Sequence, residues 1–267
     1  MPAGAGDGAG PAWQHRRASR GGILPFSEPM RLNKHLSESG FCSRREADRL
    51  IAAGRVRLNG QPAGIGASVA EGDEVLVDGQ ALRARAAGRS GARKHVYIAL
   101  NKPVGITCTT EHAVKGNIVD FVDHAQRIFP IGRLDKDSEG LILLTSNGDI
   151  VNELLRSENN HEKEYLVGVN KPVTPEFLAG MARGVRVHGQ MTKPCRTRRL
   201  AKFGFNIVLT QGLNRQIRLM AEAFGYRVTE LRRVRIVNVK LGVLRTGQWR
   251  NLTDAELSGL LPTRTTW

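Results

Sequence analysis

The segment with the clearest chemical potential is residues 129–145, in which a carboxylate-rich loop runs directly into an apolar stretch. Asp135 follows Arg133 by two residues and precedes Asp137 by two. A carboxylate that is withdrawn from water and kept ionised by a cation can act as a nucleophile or stabilise positive charge. The apolar residues 141–144 would form the strand that holds this loop. If Asp135 is such a buried reactive group and not part of a surface turn, the chain is an enzyme.

Two other interpretations fit the residue types of this loop. Acidic residues at 135, 137 and 139 with Gly140 match the first half of a calcium loop, but Ser146 stands where a bidentate glutamate is required. A calcium site is therefore not predicted. A solvated turn uses the same residue types. The choice between a solvated turn and a reactive loop therefore depends on the rest of the chain.

Composition restricts the class of protein. The chain has 267 residues, 40% of them hydrophobic, which is enough for two domains with a core. No apolar run reaches membrane-spanning length. Cys42, Cys108 and Cys195 are far apart and fit neither a disulfide framework nor a zinc site. Together with the spacing of His161, Glu162 and Glu164, which is not that of a helical zinc pair, this predicts a cytoplasmic protein that uses no metal.

Charge is distributed unevenly along the chain. The net charge is +15 overall; by segment it is +6 for residues 1–95, −2 for 96–190 and +11 for 191–267. Basic regions on both sides of a near-neutral middle suit a protein that binds a polyanion around a central reactive site. No long basic amphipathic helix favours a membrane surface, so we expect RNA or DNA as the partner.

The amino-terminal part predicts a compact unit of two helices and a small sheet. Leu32 and Leu36 lie on one face of a short helix, and Ser43 with Glu46 forms a capping box that begins a second helix. Asparagine–glycine at 59–60 and aspartate–glycine at 78–79 indicate hairpin turns. Three arginines share the polar face of the second helix: Arg44, Arg45 and Arg49. We predict a disordered tail over residues 1–30 and a flexible linker over 81–95.

The remainder, residues 96–262, alternates short strands with few helices in an order without repeated βαβ units. This predicts an α+β fold with a mixed, largely antiparallel sheet. Predicted strands cover residues 97–100, 141–144, 165–169, 185–187, 205–209 and 236–239. Predicted helices cover residues 150–155, 175–181 and 215–224.

Two family resemblances add to this interpretation. Residues 31–78 resemble the S4 RNA-binding domain. In the second part, Asn-Lys-Pro-Val-Gly at 101–105, Gly-Arg-Leu-Asp at 132–135, Lys-Glu-Tyr at 163–165 and Gly-Leu-Asn-Arg-Gln-Ile-Arg at 212–218 occur in the order found in pseudouridine synthases of the RsuA-like branch. The resemblance implies isomerisation of a uridine in RNA, without a cofactor.

The resemblance also implies roles for individual residues. Asp135 is the catalytic carboxylate, kept ionised by Arg218, with Arg215 as the second candidate for this cation. Tyr165 stacks on the uracil once it leaves its helix or loop. Whether Asp135 adds to the sugar or removes a proton on the way to a glycal is left open. Lys163 binds phosphate or supports Asp135. The residues expected to contact RNA are Arg44, Arg45, Arg49, Arg133, Lys163, Arg215, Arg232 and Arg233.

Within this family the expected substrate is 23S ribosomal RNA, with a tRNA anticodon stem-loop as a further substrate, and the expected state is a monomer. Three alternatives stay open: a synthase acting on 16S ribosomal RNA, a non-catalytic RNA-binding assembly factor, and a glycoside hydrolase using Asp135 with Asp137. Hydrolases place two carboxylates across a sugar, and residues two apart in one loop are poorly placed for that.

Overall fold

The computed structural model describes residues 29–39, 41–82, 95–148, 150, 151, 154 and 160–260. The chain divides into two compact units between residues 91 and 92. Most of the predicted tail, and all of the predicted linker except its two ends, lie outside the described residues.

The first unit contains two helices and two small sheets. Its core is formed by Leu32 and Leu36 from the first helix, Ala47 and Ile51 from the second, and strand valines. The four-stranded sheet has the order β3-β2-β5-β6, and β1 pairs with β4 in a separate two-stranded sheet. The elements are β1 (Met30–Arg31), α1 (Leu32–Glu38), α2 (Arg44–Ala52), β2 (Val56–Leu58), β3 (Gln61–Pro62), β4 (Ser68–Val69), β5 (Val75–Val77) and β6 (Gln80–Ala81).

Local sequence signals set the boundaries of this unit. The Ser43 hydroxyl accepts a hydrogen bond from the backbone N–H of Glu46 at 3.1 Å and so begins α2 as predicted. Asn59 and Asp78 both adopt left-handed conformations, each followed by a glycine that does the same. This is the backbone of a type I′ turn, which joins the two strands of a hairpin. The short β1 and β4 were not predicted.

The second unit is built on one nine-stranded sheet. Its strand order is β13-β14-β10-β15-β9-β7-β17, with β16 added to β15 and β8 added to β9. Its elements are β7 (Tyr97–Lys102), α3 (Ile118–Val122), β8 (Phe129–Ile131), β9 (Glu139–Thr145), β10 (Lys163–Val169), α4 (Pro175–Arg183), β11 (Arg186–Val187), β12 (Gln190–Met191), β13 (Arg196–Ala201), β14 (Gly204–Leu209), α5 (Gln216–Glu222), β15 (Val228–Ile236), β16 (Val239–Lys240), β17 (Trp249–Asn251) and α6 (Asp254–Leu260).

The predicted sheet type is confirmed. β9 and β15 run parallel to each other, and the other recorded strand pairs of this sheet are antiparallel. Alternate residues of β9 point to opposite sides: Ile142 and Leu144 belong to a core that includes α3, α4 and α5, whereas Leu141 and Leu143 belong to a second core that includes α6. Both faces of this central strand are therefore buried, as its apolar sequence indicated.

Three local predictions needed correction. The predicted strand 236–239 is wrong, because Val237 has a φ of 51° and forms the turn between β15 and β16. The helix predicted to begin at Arg215 begins at Gln216, since Arg215 is left-handed. β13 was missed because four of its six residues are Arg or Ala and none is buried. Of the helix predicted at 150–155, residues 150, 151 and 154 are described and helical.

One glycine allows the parallel strands to meet. Gly140 has a φ of +106°, and a Cβ at this position would lie 2.3 Å from the Arg233 carbonyl oxygen and 2.7 Å from the Arg233 nitrogen. Both neighbours are backbone atoms of the paired strand β15. A side chain here would push β9 away from β15, so glycine is required by contact as well as by conformation.

We expect Gly140→Ala to lower the free energy of unfolding by about 3 kcal/mol, since strain in the left-handed region and overpacking add. Gly189→Ala is the matched control, because Gly189 also has a positive φ (+79°) but a Cβ there meets nothing within 4 Å. Its expected loss is about 1 kcal/mol. Urea unfolding followed by circular dichroism measures both losses, and equal losses would contradict the close-contact argument.

Candidate active site

The Asp135 loop enters β9 at the edge of the core that contains Leu134, Tyr165 and Ile217. Leu134 is buried and Asp135 is half-buried. The loop therefore has one residue anchored in the protein interior and the next at its boundary. This is the position that a reactive carboxylate needs if it is to meet a substrate in a partly desolvated environment.

The backbone on both sides of Asp135 is held by the segment that follows β7. The Cys108 thiol donates to the Leu134 carbonyl at 3.2 Å and accepts from the Leu134 N–H at 3.4 Å. The Gly105 N–H donates to the Lys136 carbonyl at 2.7 Å. Asp135 is thus flanked by two residues whose main chains are fixed, which restricts where its carboxylate can lie.

Lys102, at the end of β7, was not predicted as a site residue. It is fully buried and its ammonium donates to the carbonyls of Pro103 (2.8 Å) and Ile106 (2.9 Å). Burial lowers the pKa of Lys102, and the nearby charge of Asp135 acts in the opposite direction. The signal available in the sequence was its place in the motif at 101–105. Its residue type gave no indication of burial, because lysine is rarely fully buried.

Arg218 and Arg215 contact Asp137. Arg218 Nε lies 3.4 Å from the Asp137 Oδ2, its Nη2 donates to the Asp137 carbonyl at 3.0 Å, and Arg215 Nη1 lies 3.3 Å from the Asp137 carboxylate. The expected ion pair between Arg218 and Asp135 is therefore not the one formed. Arg218 also donates to the Ser138 hydroxyl at 3.1 Å, so it holds the loop two and three residues beyond Asp135.

The Asp135 carboxylate itself forms no hydrogen bond or ion pair with any residue in the described part of the chain. Its neighbour Asp137 carries the contacts to the two arginines. An ionised carboxylate has several lone pairs for acceptance or attack. The lone pairs of the Asp135 carboxylate are therefore available to a substrate.

Tyr165 lies in the middle of β10 and is 7% exposed. It pairs in register with Ile207 on one side and Arg233 on the other. The guanidinium carbon of Arg233 lies 6.0 Å from the centre of the Tyr165 ring. Tyr165 is therefore part of the core wall and presents little of its ring before a substrate enters.

Lys163 lies on the same face of β10, two residues before Tyr165. Its ammonium donates to the His161 carbonyl at 3.2 Å. Burial, and after it the positive charge of Arg233, lower the pKa of Lys163 to about 8. Lys163 is thus a partly buried cation and not the solvated side chain that its type alone suggests.

The contacts of the arginines of β15 differ from those predicted. Arg232 and Arg233 were expected to contact RNA, but both bond within the protein, as does Arg235. Arg232 lies 3.6 Å from Glu139, and Arg235 pairs with Glu164 at 2.8 Å and Glu162 at 3.0 Å. Arg233 is 3% exposed and donates to the carbonyl of Leu141 at 2.6 Å. Arg233 is therefore too deeply buried to bind an RNA phosphate, whereas an RNA contact by the partly exposed Arg232 stays a prediction.

Several other predicted RNA contacts are at the surface. Arg133, Arg215 and the three arginines of α2 are exposed. Arg49 pairs with Glu46 one turn earlier. Exposed ion pairs of this kind are weak, so they leave an arginine able to exchange its partner for a phosphate.

No group of three or more His, Cys, Asp or Glu side chains in the described part of the chain is arranged to hold a metal ion. None of the described helices has the length and apolar character needed to cross a bilayer.

The site resembles those of known enzymes in both sequence and fold. Residues 96–223 match the RNA pseudouridylate synthase family, and residues 30–80 match the S4 domain. The chain is 57% identical over 238 residues to the dual-specificity RNA pseudouridine synthase RluF of Escherichia coli strain K12, covering 89% of this chain and 80% of that protein.

Two further comparisons agree. The chain is 34% identical to the ribosomal large subunit pseudouridine synthase B of Bacillus subtilis, over 86% of this chain and 95% of that protein. A crystal structure of a pseudouridylate synthase superposes with a TM-score of 0.63 at 28% identity, covering 87% of this chain and 100% of the other. This chain therefore belongs to the RNA pseudouridine synthases, in the RsuA-like branch that carries an S4 domain.

Proposed function

We propose that this synthase isomerises a uridine of 23S ribosomal RNA, that it also accepts a tRNA anticodon stem-loop, and that Asp135 is its catalytic carboxylate. The observation that carries the catalytic assignment is the Asp135 side chain, which is half-buried beside the Tyr165 core and forms no hydrogen bond or ion pair with the described part of the protein. A second RNA substrate is supported by the similarity to a relative named for dual specificity. A large-subunit substrate is supported by the relative from Bacillus subtilis.

The reaction breaks the bond between C1′ and N1 of the uridine, turns the uracil within the site and joins C1′ to C5. The hydrogen on C5 is lost to solvent and N1 gains a proton, so that the net change is an isomerisation. Asp135 acts at the sugar, either by adding to C1′ or by removing a proton to give a glycal. Both routes need an ionised carboxylate that has no competing partner in the protein.

Tyr165 and Arg218 support this step in different ways. The uridine has to leave its stacked position before it can react, and the Tyr165 ring is the aromatic surface that the base meets at the wall of the core. Arg218 holds the loop through Asp137 and Ser138 and keeps a positive charge near Asp135. In this proposal Arg218 acts on Asp135 by holding the loop and not through a direct ion pair.

The S4 unit supplies affinity for structured RNA. The exposed Arg44, Arg45 and Arg49 of α2 suit contacts with phosphates, which position an RNA without reading its sequence. Arg133 lies in the same loop as Asp135, and in this proposal its side chain occupies the space that the extruded base leaves in the RNA. We also propose that the enzyme is cytoplasmic and that it works as a monomer. Each of its two units has its own apolar core, so neither needs a second copy to form one.

A non-catalytic RNA-binding factor is the second candidate, and the test is whether the carboxylate is needed for turnover. We expect Asp135→Asn to lower pseudouridine formation at least about 1,000-fold, because a carboxamide is neither a nucleophile nor a base. RNA transcripts with tritium at C5 of uridine measure the reaction, since each isomerisation releases the tritium to water. RNA affinity should change less than about threefold.

Asp254→Asn is the control, because Asp254 is an exposed residue in the first turn of α6. It should release tritium at the wild-type rate. Undiminished release by Asp135→Asn would remove Asp135 from the mechanism, and absence of release by the wild type from both 23S ribosomal RNA and tRNA would contradict the proposed substrates.

The role of α2 is tested by replacing Arg44, Arg45 and Arg49 together with alanine. We expect weaker binding of 23S ribosomal RNA and a shallower dependence of affinity on salt, because fewer counterions are released when phosphate contacts are lost. The rate constant at saturating RNA should stay near the wild-type value. Filter binding between 50 and 300 mM salt and single-turnover kinetics are the measurements.

The matched control replaces the same three residues with lysine, which keeps the charges. That variant should retain most of the affinity and the salt dependence. If the alanine variant keeps the wild-type salt slope, the helix is not a phosphate-binding surface.

A further inference from the structure

Arg233 has an environment that its own protein does not complete. It is 3% exposed, yet it forms no ion pair with a carboxylate in the described part of the chain. Its Nε donates to the Leu141 carbonyl at 2.6 Å and its Nη1 reaches the Arg133 carbonyl at 3.4 Å. Its Nη2 is buried and has no hydrogen-bond partner among the described residues.

The neighbouring arginines show how unusual this is. The buried Nε atoms of Arg218 and Arg232 also lack a hydrogen bond, but they lie 3.4 and 3.6 Å from carboxylate oxygens of Asp137 and Glu139. Arg233 has no comparable compensation. A buried donor without an acceptor is unfavourable, and such a group in an enzyme is explained when a ligand supplies the acceptor.

Two more cations share this environment. Lys102 is fully buried and Lys163 is half-buried, and each is bonded to backbone carbonyls without a carboxylate partner among the described residues. The charge of Arg233 contributes to lowering the pKa of both lysines, after burial as the main cause. Arg233 therefore acts electrostatically on both lysines, and Asp135 is one of the carboxylates that act on Lys102, so positive charge is in excess behind the loop.

The position of Arg233 decides which part of the RNA could supply the acceptor. Its side chain shares a face with Tyr165 across the β10–β15 pair and is too deeply buried to meet a phosphate on the RNA backbone. The group that enters deepest is the extruded base. Breaking the C1′–N1 bond leaves the bonding electrons on N1, from which they spread to the carbonyl oxygens O2 and O4.

We propose that Arg233 is a catalytic residue that donates to a carbonyl oxygen of the uracil and stabilises the negative charge of the base while it is detached from the sugar. This rests on the proposed function and holds for either route at Asp135, because the base leaves with the same electron pair in both. When C5 joins C1′, that charge is withdrawn from the base, which then loses the C5 proton and gains one at N1. The excess of buried cations would also keep the detached base from leaving the site.

The first test compares Arg233→Gln, Arg233→Lys and wild type on 23S ribosomal RNA under single-turnover conditions. Loss of one preorganised donor to a developing negative charge slows a reaction by about 100-fold or more, and we expect this for Arg233→Gln. RNA affinity should change less than threefold, and Arg233→Lys should recover at least tenfold of the lost rate because it restores the charge. Arg235→Gln, two residues along the strand and paired with Glu164, is the control and should react within threefold of wild type.

Three outcomes would overturn the proposal: a rate for Arg233→Gln within threefold of wild type, a loss of RNA affinity in place of rate, or an Arg233→Lys variant no faster than Arg233→Gln. Asp135→Asn is assayed in parallel, so that failure of the proposed function appears as an active Asp135→Asn enzyme, independently of Arg233.

A second measurement covers the case in which Arg233→Gln does not fold. Sulphur accepts hydrogen bonds more weakly than oxygen, so transcripts containing 2-thiouridine or 4-thiouridine probe O2 and O4 in the wild type and in Arg233→Lys. We expect one of the two substitutions to slow the wild type at least fivefold and to slow Arg233→Lys less. The carbon-linked nucleoside is separated by chromatography after nuclease digestion. Equal slowing of both enzymes, or no slowing of either, would overturn the proposal.

Discussion

The parallel contact between β9 and β15 is the constraint on which the site depends. Gly140 lets the two backbones approach, and the approach brings the Arg233 side chain within 2.6 Å of the Leu141 carbonyl. The same strand β9 begins where the Asp135 loop ends, and the same strand β15 pairs with β10, which carries Tyr165. The close parallel pairing of these two strands therefore sets the relative positions of the Asp135 loop, the Tyr165 ring and the buried guanidinium of Arg233.

Local features of the fold could be predicted from the sequence because their causes are local. The Ser43 cap, the two aspartate- or asparagine-glycine turns and the apolar β9 each depend on residues a few positions apart. The sheet type also followed from the irregular order of strands and helices. The turn at Val237 could not be predicted in this way, because Val is a strand former and its left-handed backbone is imposed by the β15–β16 pairing.

The site was predictable as a set of residues but not as a set of contacts. Asp135 and Tyr165 were identified through motifs, whereas the pairing of Arg218 with Asp137 links positions 81 residues apart in the chain. The β15 arginines look like an RNA-binding surface in sequence because their partners Glu139, Glu162 and Glu164 are remote. Lys102 was missed for the same reason, since the burial of a lysine depends on strands that the sequence does not place beside it.

The thiol that supports the reactive loop has a consequence for how the enzyme withstands oxidants. Burial raises the pKa of Cys108, so the neutral form prevails at physiological pH, whereas it is the thiolate that attacks peroxides. A sulfenic acid at this position would disturb both hydrogen bonds to Leu134 and with them the placement of the neighbouring carboxylate. A protonated thiol at this position reacts slowly with peroxides, and the two hydrogen bonds that hold the Leu134 backbone are retained.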